Sequence, residues 1–199
     1  MAKKIQDGKL LYHLTAIKNL KSIFKHGLLS REDADSKKLL EINIADQEII
    51  KKRKELGILQ YVPFHFYEKT PFTGKILKKY SGTTFCIIAI RRKTAKDNNF
   101  KICTAHPLSQ NPIAEVLDYE EGFHKIDWEN AEKRDYDDPI SKNACMAECL
   151  AVSPVMPKDF HAIFVADKKT EDHVRLIVSK ILKERYNFKI STNESFFKV

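Results

Sequence analysis

Ala144-Cys145-Met146-Ala147-Glu148-Cys149-Leu150-Ala151-Val152, closed by Ser153-Pro154, carries one carboxylate inside an otherwise apolar run. Short length, β-branched and alternating apolar positions and a terminal Ser-Pro describe a strand, Glu148 to Val152, near the middle of a sheet. An ionised glutamate there costs several kcal/mol unless it is paired or hydrogen-bonded. Glu148 is therefore either an outward-facing or salt-bridged structural residue, or a carboxylate held for chemistry.

Working outward, strand patterns recur at Leu10 to Leu14, Tyr61 to Tyr67, Thr83 to Ile90, Lys101 to Thr104 and His161 to Val165, with Phe188-Lys189-Ile190 as a last candidate. The Pro63 in the second of these implies an edge or a bulge. Thr15 is placed to cap a helix from Ala16 to Lys25 whose apolar positions Ile17, Leu20, Ile23 and Phe24 share one face, and Gly27 ends it. Ser30 to Asn43 lacks periodicity and reads as a long loop before a helix from Ile44 to Leu56. Asp118 to Asn143 reads as loop-rich, and a helix from Glu171 to Arg185 buries Val174, Ile177, Val178, Ile181 and Leu182. Helices and strands mix without regular βαβ alternation, so the class is α+β.

With 199 residues and 43% hydrophobic content, the chain suits a single domain over 1–199. No secretory leader or membrane-spanning run is legible, so a cytoplasmic protein with no membrane partner is expected. The four cysteines form no Cys-x-x-Cys pair, and the seven histidines lack the spacing of a helical zinc site, so no metal is expected. Phosphate loops of the Gly-x-x-x-x-Gly-Lys and Gly-x-Gly-x-x-Gly types are absent, and so is a Gly-x-Ser-x-Gly elbow. A formal charge of +8 fits a polyanionic partner, with nucleic acid favoured over membrane.

Several segments, taken in order, resemble the DarT family of DNA ADP-ribosyltransferase toxins. They are Leu11-Tyr12-His13-Leu14-Thr15-Ala16-Ile17-Lys18-Asn19-Leu20-Lys21-Ser22-Ile23 with Gly27-Leu28-Leu29, then Tyr61-Val62-Pro63-Phe64-His65-Phe66 and Ile126-Asp127-Trp128, then Ala147-Glu148. The resemblance spans nearly the whole chain. It implies an ADP-ribosyltransferase-like split mixed sheet with flanking helices, NAD as co-substrate, and transfer of ADP-ribose to a base of single-stranded DNA. It makes Glu148 the catalytic carboxylate, a role suited to stabilising positive charge that develops on ribose C1 and to taking a proton from the acceptor. His13, Thr15, Asn19, Tyr61, Phe64 and Phe66 become cofactor-binding candidates, the aromatics by stacking, although strand alternation sends only some of them into a cleft. Tyr136, Lys142 and Asn143, ahead of the Glu148 strand, become substrate-binding candidates.

One departure concerns the base. Thymine-modifying members carry an arginine shortly after a Gln-Glu pair, where this chain has Gln47-Glu48-Ile49-Ile50. Either Lys51 or Arg53 takes over in a shifted register, or the target is another base, guanine first, with His65 helping to position it. A macrodomain antitoxin is the partner the resemblance implies. A non-catalytic nucleic-acid-binding domain of the same fold, or an NAD-dependent enzyme acting on RNA, is the alternative.

Overall fold

The computed structural model describes residues 4–42, 44, 47–110, 113–183 and 185–198. The longest apolar strand patterns become the centre of the sheet: β1 (Leu10–Ala16) pairs along its whole length with β3 (Phe85–Arg91), antiparallel. In β3 every residue from Phe85 to Ile90 is buried, as a strand covered on both faces requires. The remaining strands are β2 (Tyr61–His65), β4 (Lys101–Cys103), β5 (Val116–Asp118), β6 (Glu148–Val152), β7 (Phe160–Val165) and β8 (Lys189–Thr192). They form one eight-stranded sheet in the order β5-β4-β6-β2-β1-β3-β7-β8, antiparallel except for the β7–β8 pair.

The join between β2 and β1 is where the sheet opens. Only Tyr12 and His65 are in register there, whereas β2 pairs with β6 over five positions from Tyr61↔Val152 to His65↔Glu148. Pro63 explains part of this. It has no N–H to offer, and the carbonyl on the same strand edge is taken by the His13 side chain rather than by β1 backbone. The proline marks an edge, as its sequence implies, but an edge inside the sheet.

One face is covered by α1 (Leu20–His26) and α9 (Lys168–Leu182), whose Leu20, Ile23, Phe24, Val174, Ile177 and Val178 join the main core. Gly27 ends α1 at φ +83°, and a Cβ there would lie 2.8 Å from Pro154, so only glycine suits both the turn and the close approach. Thr15, however, is not a helix cap. It lies in β1 opposite Cys86, and a 3-10 turn, Ile17–Asn19, intervenes before α1. Full-length pairing with β3 outweighs the local capping preference.

The expected loop over Ser30 to Asn43 contains α2 (Arg31–Ser36), capped by Ser30 Oγ, which accepts from Asp33 N–H; Asn43 lies outside the described residues. The next helix is α3 (Gln47–Glu55), shorter than Ile44 to Leu56 at both ends. Further helices follow as α4 (Pro71–Lys79), α5 (Arg92–Asp97), α6 (Tyr119–Lys125), α7 (Trp128–Lys133) and α8 (Pro139–Ala144). The stretch read as loop-rich therefore holds three helices. Each is about two turns or less, too short for periodicity, and α7 and α8 are started by the side chains of Asp127 and Asp138.

Candidate active site

Glu148 opens β6 at the split, level with His65 on one side and Cys103 on the other, and is 5% exposed. Its carboxylate Oε2 accepts from Nη1 of Arg53, which is 7% exposed, so the two form a buried ion pair. The structural alternative raised by the sequence, a buried salt bridge, is thus present, but it lies in the wall of a cleft rather than in a closed core. That cleft runs through the β1/β2 split. It is lined by His13, Thr15, Tyr61, His65, Arg53 and Glu148 and walled by the segment from Leu28 to Ile42.

Helical geometry decides between the two basic candidates of α3. Ile50 and Arg53 are three residues apart and share the face that lines the cleft, whereas Lys51 is roughly 200° around the helix from Arg53. Lys51 is exposed and lines neither this cleft nor the cavity beside it; Arg53 stands one turn beyond Ile50, where the family arginine was expected, and reaches Glu148.

His13 donates from Nδ1 to the Pro63 carbonyl at 2.8 Å, since a carbonyl only accepts. Burial drives its pKa down to about 4, against the opposing pull of that bond, so the ring is neutral and Nε2 keeps its lone pair. His65 is also held neutral, chiefly by burial, with Glu148 pulling the other way. Two buried polar atoms beside the carboxylate, Arg53 Nη2 and His65 Nδ1, have no hydrogen-bond partner among the described residues. Buried polar atoms without a protein partner in a cleft wall are available to a polar ligand or to water.

Other candidates are placed differently. Phe64 is 0% exposed and Phe66 5%, both in the main core. Alternation puts Tyr61, Pro63 and His65 on the face shared with Glu148 and sends Val62 and Phe64 to the other, so neither phenylalanine forms a cleft wall. Phe66 instead packs edge-on against Trp128 and beneath the Arg92 guanidinium. Phe64 supports the His13 ring from the core at 5.6 Å between centroids. Asn19 lines the cleft, but its amide is committed to the backbone at residues 41 and 42 and to Thr15, leaving no capacity for direct ligand binding.

Tyr136, Lys142 and Asn143 lie apart from this group, in a second cavity that also collects Lys69, Lys75 and Lys78. The Tyr136 hydroxyl donates to the Lys69 carbonyl. Ile49, Phe72, His106 and Met146 line both cavities and join them. His106 and Phe72 were not legible as site residues. His106 follows β4 in an irregular segment, its N–H donates to the Asn143 carbonyl at 3.2 Å, and its ring is held neutral mainly by burial. Among the described residues no three His, Cys, Asp or Glu side chains gather as a metal site.

A family model described as "ssDNA thymidine ADP-ribosyltransferase, DarT" matches residues 12–197. The structure of Thermus sp. 2.9 DarT in complex with ADP-ribosylated ssDNA superposes with a TM-score of 0.82 at 18% identity, covering 100% of both chains. The same protein in complex with carba-NAD+ gives 0.79 at 18% identity, covering 96% of this chain and 99% of that one. A DNA ADP-ribosyl transferase–DNA ADP-ribosyl glycohydrolase fusion protein of Thermosipho africanus is 23% identical over 180 residues, 85% of this chain and 45% of the relative. The chain thus spans about half the length of that curated relative. With a family model matched from the first sheet strand to the last turn, and a split sheet shared with DarT structures, the chain belongs to the DarT family of ssDNA thymidine ADP-ribosyltransferases.

Proposed function

We propose that this chain is an NAD-dependent transferase that moves ADP-ribose onto a base of single-stranded DNA, thymine foremost, with Glu148 as catalytic carboxylate and Arg53 as the base-facing cation. The observation that carries the reading is the Arg53–Glu148 pair in the cleft wall, with Arg53 Nη2 left unpartnered. Nicotinamide is the leaving group of such a transfer, and a carboxylate beside ribose C1 stabilises the charge that develops there. The residues present suit NAD. The first cavity is lined largely by apolar side chains, and two polar atoms without a partner among the described residues, Arg53 Nη2 and His65 Nδ1, sit next to the carboxylate. His13 and Thr15 stand where β1 borders the cleft, with Tyr61 across it on β2.

The second cavity supplies the substrate side. Lys69 and Lys142 place positive charge beside an opening that joins the carboxylate through His106 and Met146, as a phosphate backbone delivering a base to Glu148 would require. Tyr136 and Asn143 belong to the same surface. Guanine is the second reading. It is favoured by the unpartnered His65 Nδ1, a ring nitrogen beside the carboxylate that is free to hydrogen-bond a base edge.

As part of the same proposal, 1–199 is a single ADP-ribosyltransferase-like domain acting in the cytoplasm as a toxin, restrained by a macrodomain-type antitoxin that removes the modification. The fused glycohydrolase named in the Thermosipho africanus relative supports that pairing. Among the described residues no helix is long and apolar enough to cross a membrane. The test offers NAD with matched DNA and RNA oligonucleotides containing single thymines or guanines, and locates the added mass. Labelling of thymine in DNA that vanishes in Glu148→Gln supports the reading; labelling of RNA alone, or labelling unchanged by Glu148→Gln, overturns it.

A further inference from the structure

The wall of the NAD cleft is anchored at its ends by Leu28 in the main core and by Ile42 against a second hydrophobic cluster, but has little hydrophobic anchorage between them. Between Arg31 and Ile42, only Ala34 is buried. A segment so poor in buried apolar contacts is held by whatever fixes its ends.

The near end is tied to the strand that carries Glu148. Leu28 and Val155 exchange backbone hydrogen bonds of 2.8 and 2.9 Å, and Ser153 Oγ accepts from Ser30 N–H at 3.0 Å while donating to the Asp33 carboxylate. The far end is tied to the strand that carries His13 and Thr15: Ile42 packs against the cluster of Leu14, Ala16, Ile76, Phe85 and Ile87, and among the described residues the side-chain hydrogen bonds to this end come from Asn19. Asn19 Oδ1 accepts from the N–H groups of Glu41 and Ile42, both at 3.1 Å. Its Nδ2 donates to the Ile42 carbonyl at 3.1 Å and to Thr15 Oγ1 at 3.4 Å. Two acceptor lone pairs and two N–H groups are all an asparagine side chain has. Asn19 is 4% exposed, so water does not substitute for these bonds in the folded state.

We propose that Asn19 is a positioning residue for NAD. By clamping residues 41–42 to the end of β1 it holds the Leu39–Ile42 wall against the cleft, and it sets NAD affinity without touching the nucleotide. The inference rests on the NAD reading above. Without the clamp, the wall must be ordered by the ligand itself, and that ordering cost is subtracted from binding. Once NAD is bound, the reacting groups on β1, β2 and β6 stand where they did.

Direct calorimetric binding of NAD, together with labelling kinetics, tests the idea on Asn19→Ala and Asn19→Asp. Asn19→Ala is expected to raise the Kd and KM for NAD about tenfold or more while kcat at saturating NAD stays within about twofold. Asn19→Asp keeps both accepted bonds but turns a buried carboxylate oxygen towards the Ile42 carbonyl, so its Kd for NAD should rise at least as far as that of Asn19→Ala. A folded Asn19→Ala that binds NAD with unchanged affinity, or that loses kcat with affinity intact, overturns the proposal. Amide exchange of the unsubstituted protein gives a reading that survives a variant's failure to fold. Glu41 and Ile42 should exchange more slowly than the exposed neighbour Leu40 in the absence of NAD, and equal rates would overturn the clamp. If the unsubstituted protein itself binds no NAD, the functional reading fails, whereas the exchange measurement still reports on the clamp.

Discussion

Arg53 and Glu148, 95 residues apart in the chain, form a buried ion pair at the point where the sheet divides. Each side chain is less than a tenth exposed, so each neutralises a charge that the site would otherwise leave uncompensated. Breaking such a pair by removing one partner costs about 3–5 kcal/mol, whereas replacing both partners by apolar groups is often neutral. Arg53→Ala should therefore lower stability by an amount in that range and reduce transfer by about 100-fold or more, the scale for losing one preorganised charge-stabilising donor. The double variant Arg53→Met/Glu148→Leu should recover most of the stability and none of the activity. Urea unfolding beside oligonucleotide labelling checks both. A double variant as unstable as Arg53→Ala would mean that the pair does not balance its own burial.

His13 couples the stability of the fold to pH. Its folded-state pKa, about 4, lies below the ordinary histidine value because burial penalises the charged ring more than the Pro63 bond favours it. A depressed histidine pKa means that the unfolded chain binds the extra proton first. The neutral-state contribution is then complete above about pH 6.5 and is lost as pH falls from there towards about 4. His65 and His106 are shifted in the same direction, again chiefly by burial. Stability measured by urea unfolding should fall over that window, and the slope should be shallower in His13→Asn. A pH profile identical in the two proteins would show that His13 does not titrate there.

Much of this arrangement is legible in the sequence where one physical signal dominates. The strand at Glu148 to Val152 has the bounds its apolar run predicts, and Gly27 ends α1 as a positive-φ glycine. The choice of Arg53 over Lys51 follows from helical spacing with Ile50 once α3 is known to line the cleft. What escaped has local reasons. Phe64 and Phe66 offer stacking rings, but strand parity commits them to the core. Thr15 has a capping side chain, yet pairing with β3 extends the strand through it. The α4 helix is announced only by Thr70-Pro71, with Thr70 Oγ1 accepting from Thr73 N–H at 3.2 Å. His106 sits in an irregular segment tied to Asn143, a tertiary contact with no pattern in the chain.

Gly122 links the short α6 to the sheet edge beside the site. A Cβ at this position would lie 2.5 Å from Ile102 Cβ in β4, which pairs with β6 through Cys103 and Glu148. The obstructing atom is attached directly to backbone, so no side-chain rotation relieves it. Gly122→Ala should destabilise by about 1–3 kcal/mol through overpacking, despite the better helix propensity of alanine. Thermal unfolding reports this. An unchanged or raised Tm would show that α6 shifts away from β4 at little cost.

Lys69 and Lys142 carry the electrostatic side of the DNA proposal, because both border the second cavity and neither touches Glu148. A lysine that neutralises a phosphate of single-stranded DNA releases counterions, so each contributes a slope of about −0.7 to log Kobs against log salt. In the Lys69→Ala/Lys142→Ala variant, the slope should become shallower by about 1.4, and affinity for oligonucleotide at low salt should fall. The affinity for NAD should be unchanged, since the proposal seats the nucleotide in the other cavity. Fluorescence anisotropy across a salt series separates the outcomes. An unaltered slope would place the DNA backbone elsewhere on the surface, while loss of NAD affinity would mean that the two cavities act as one site.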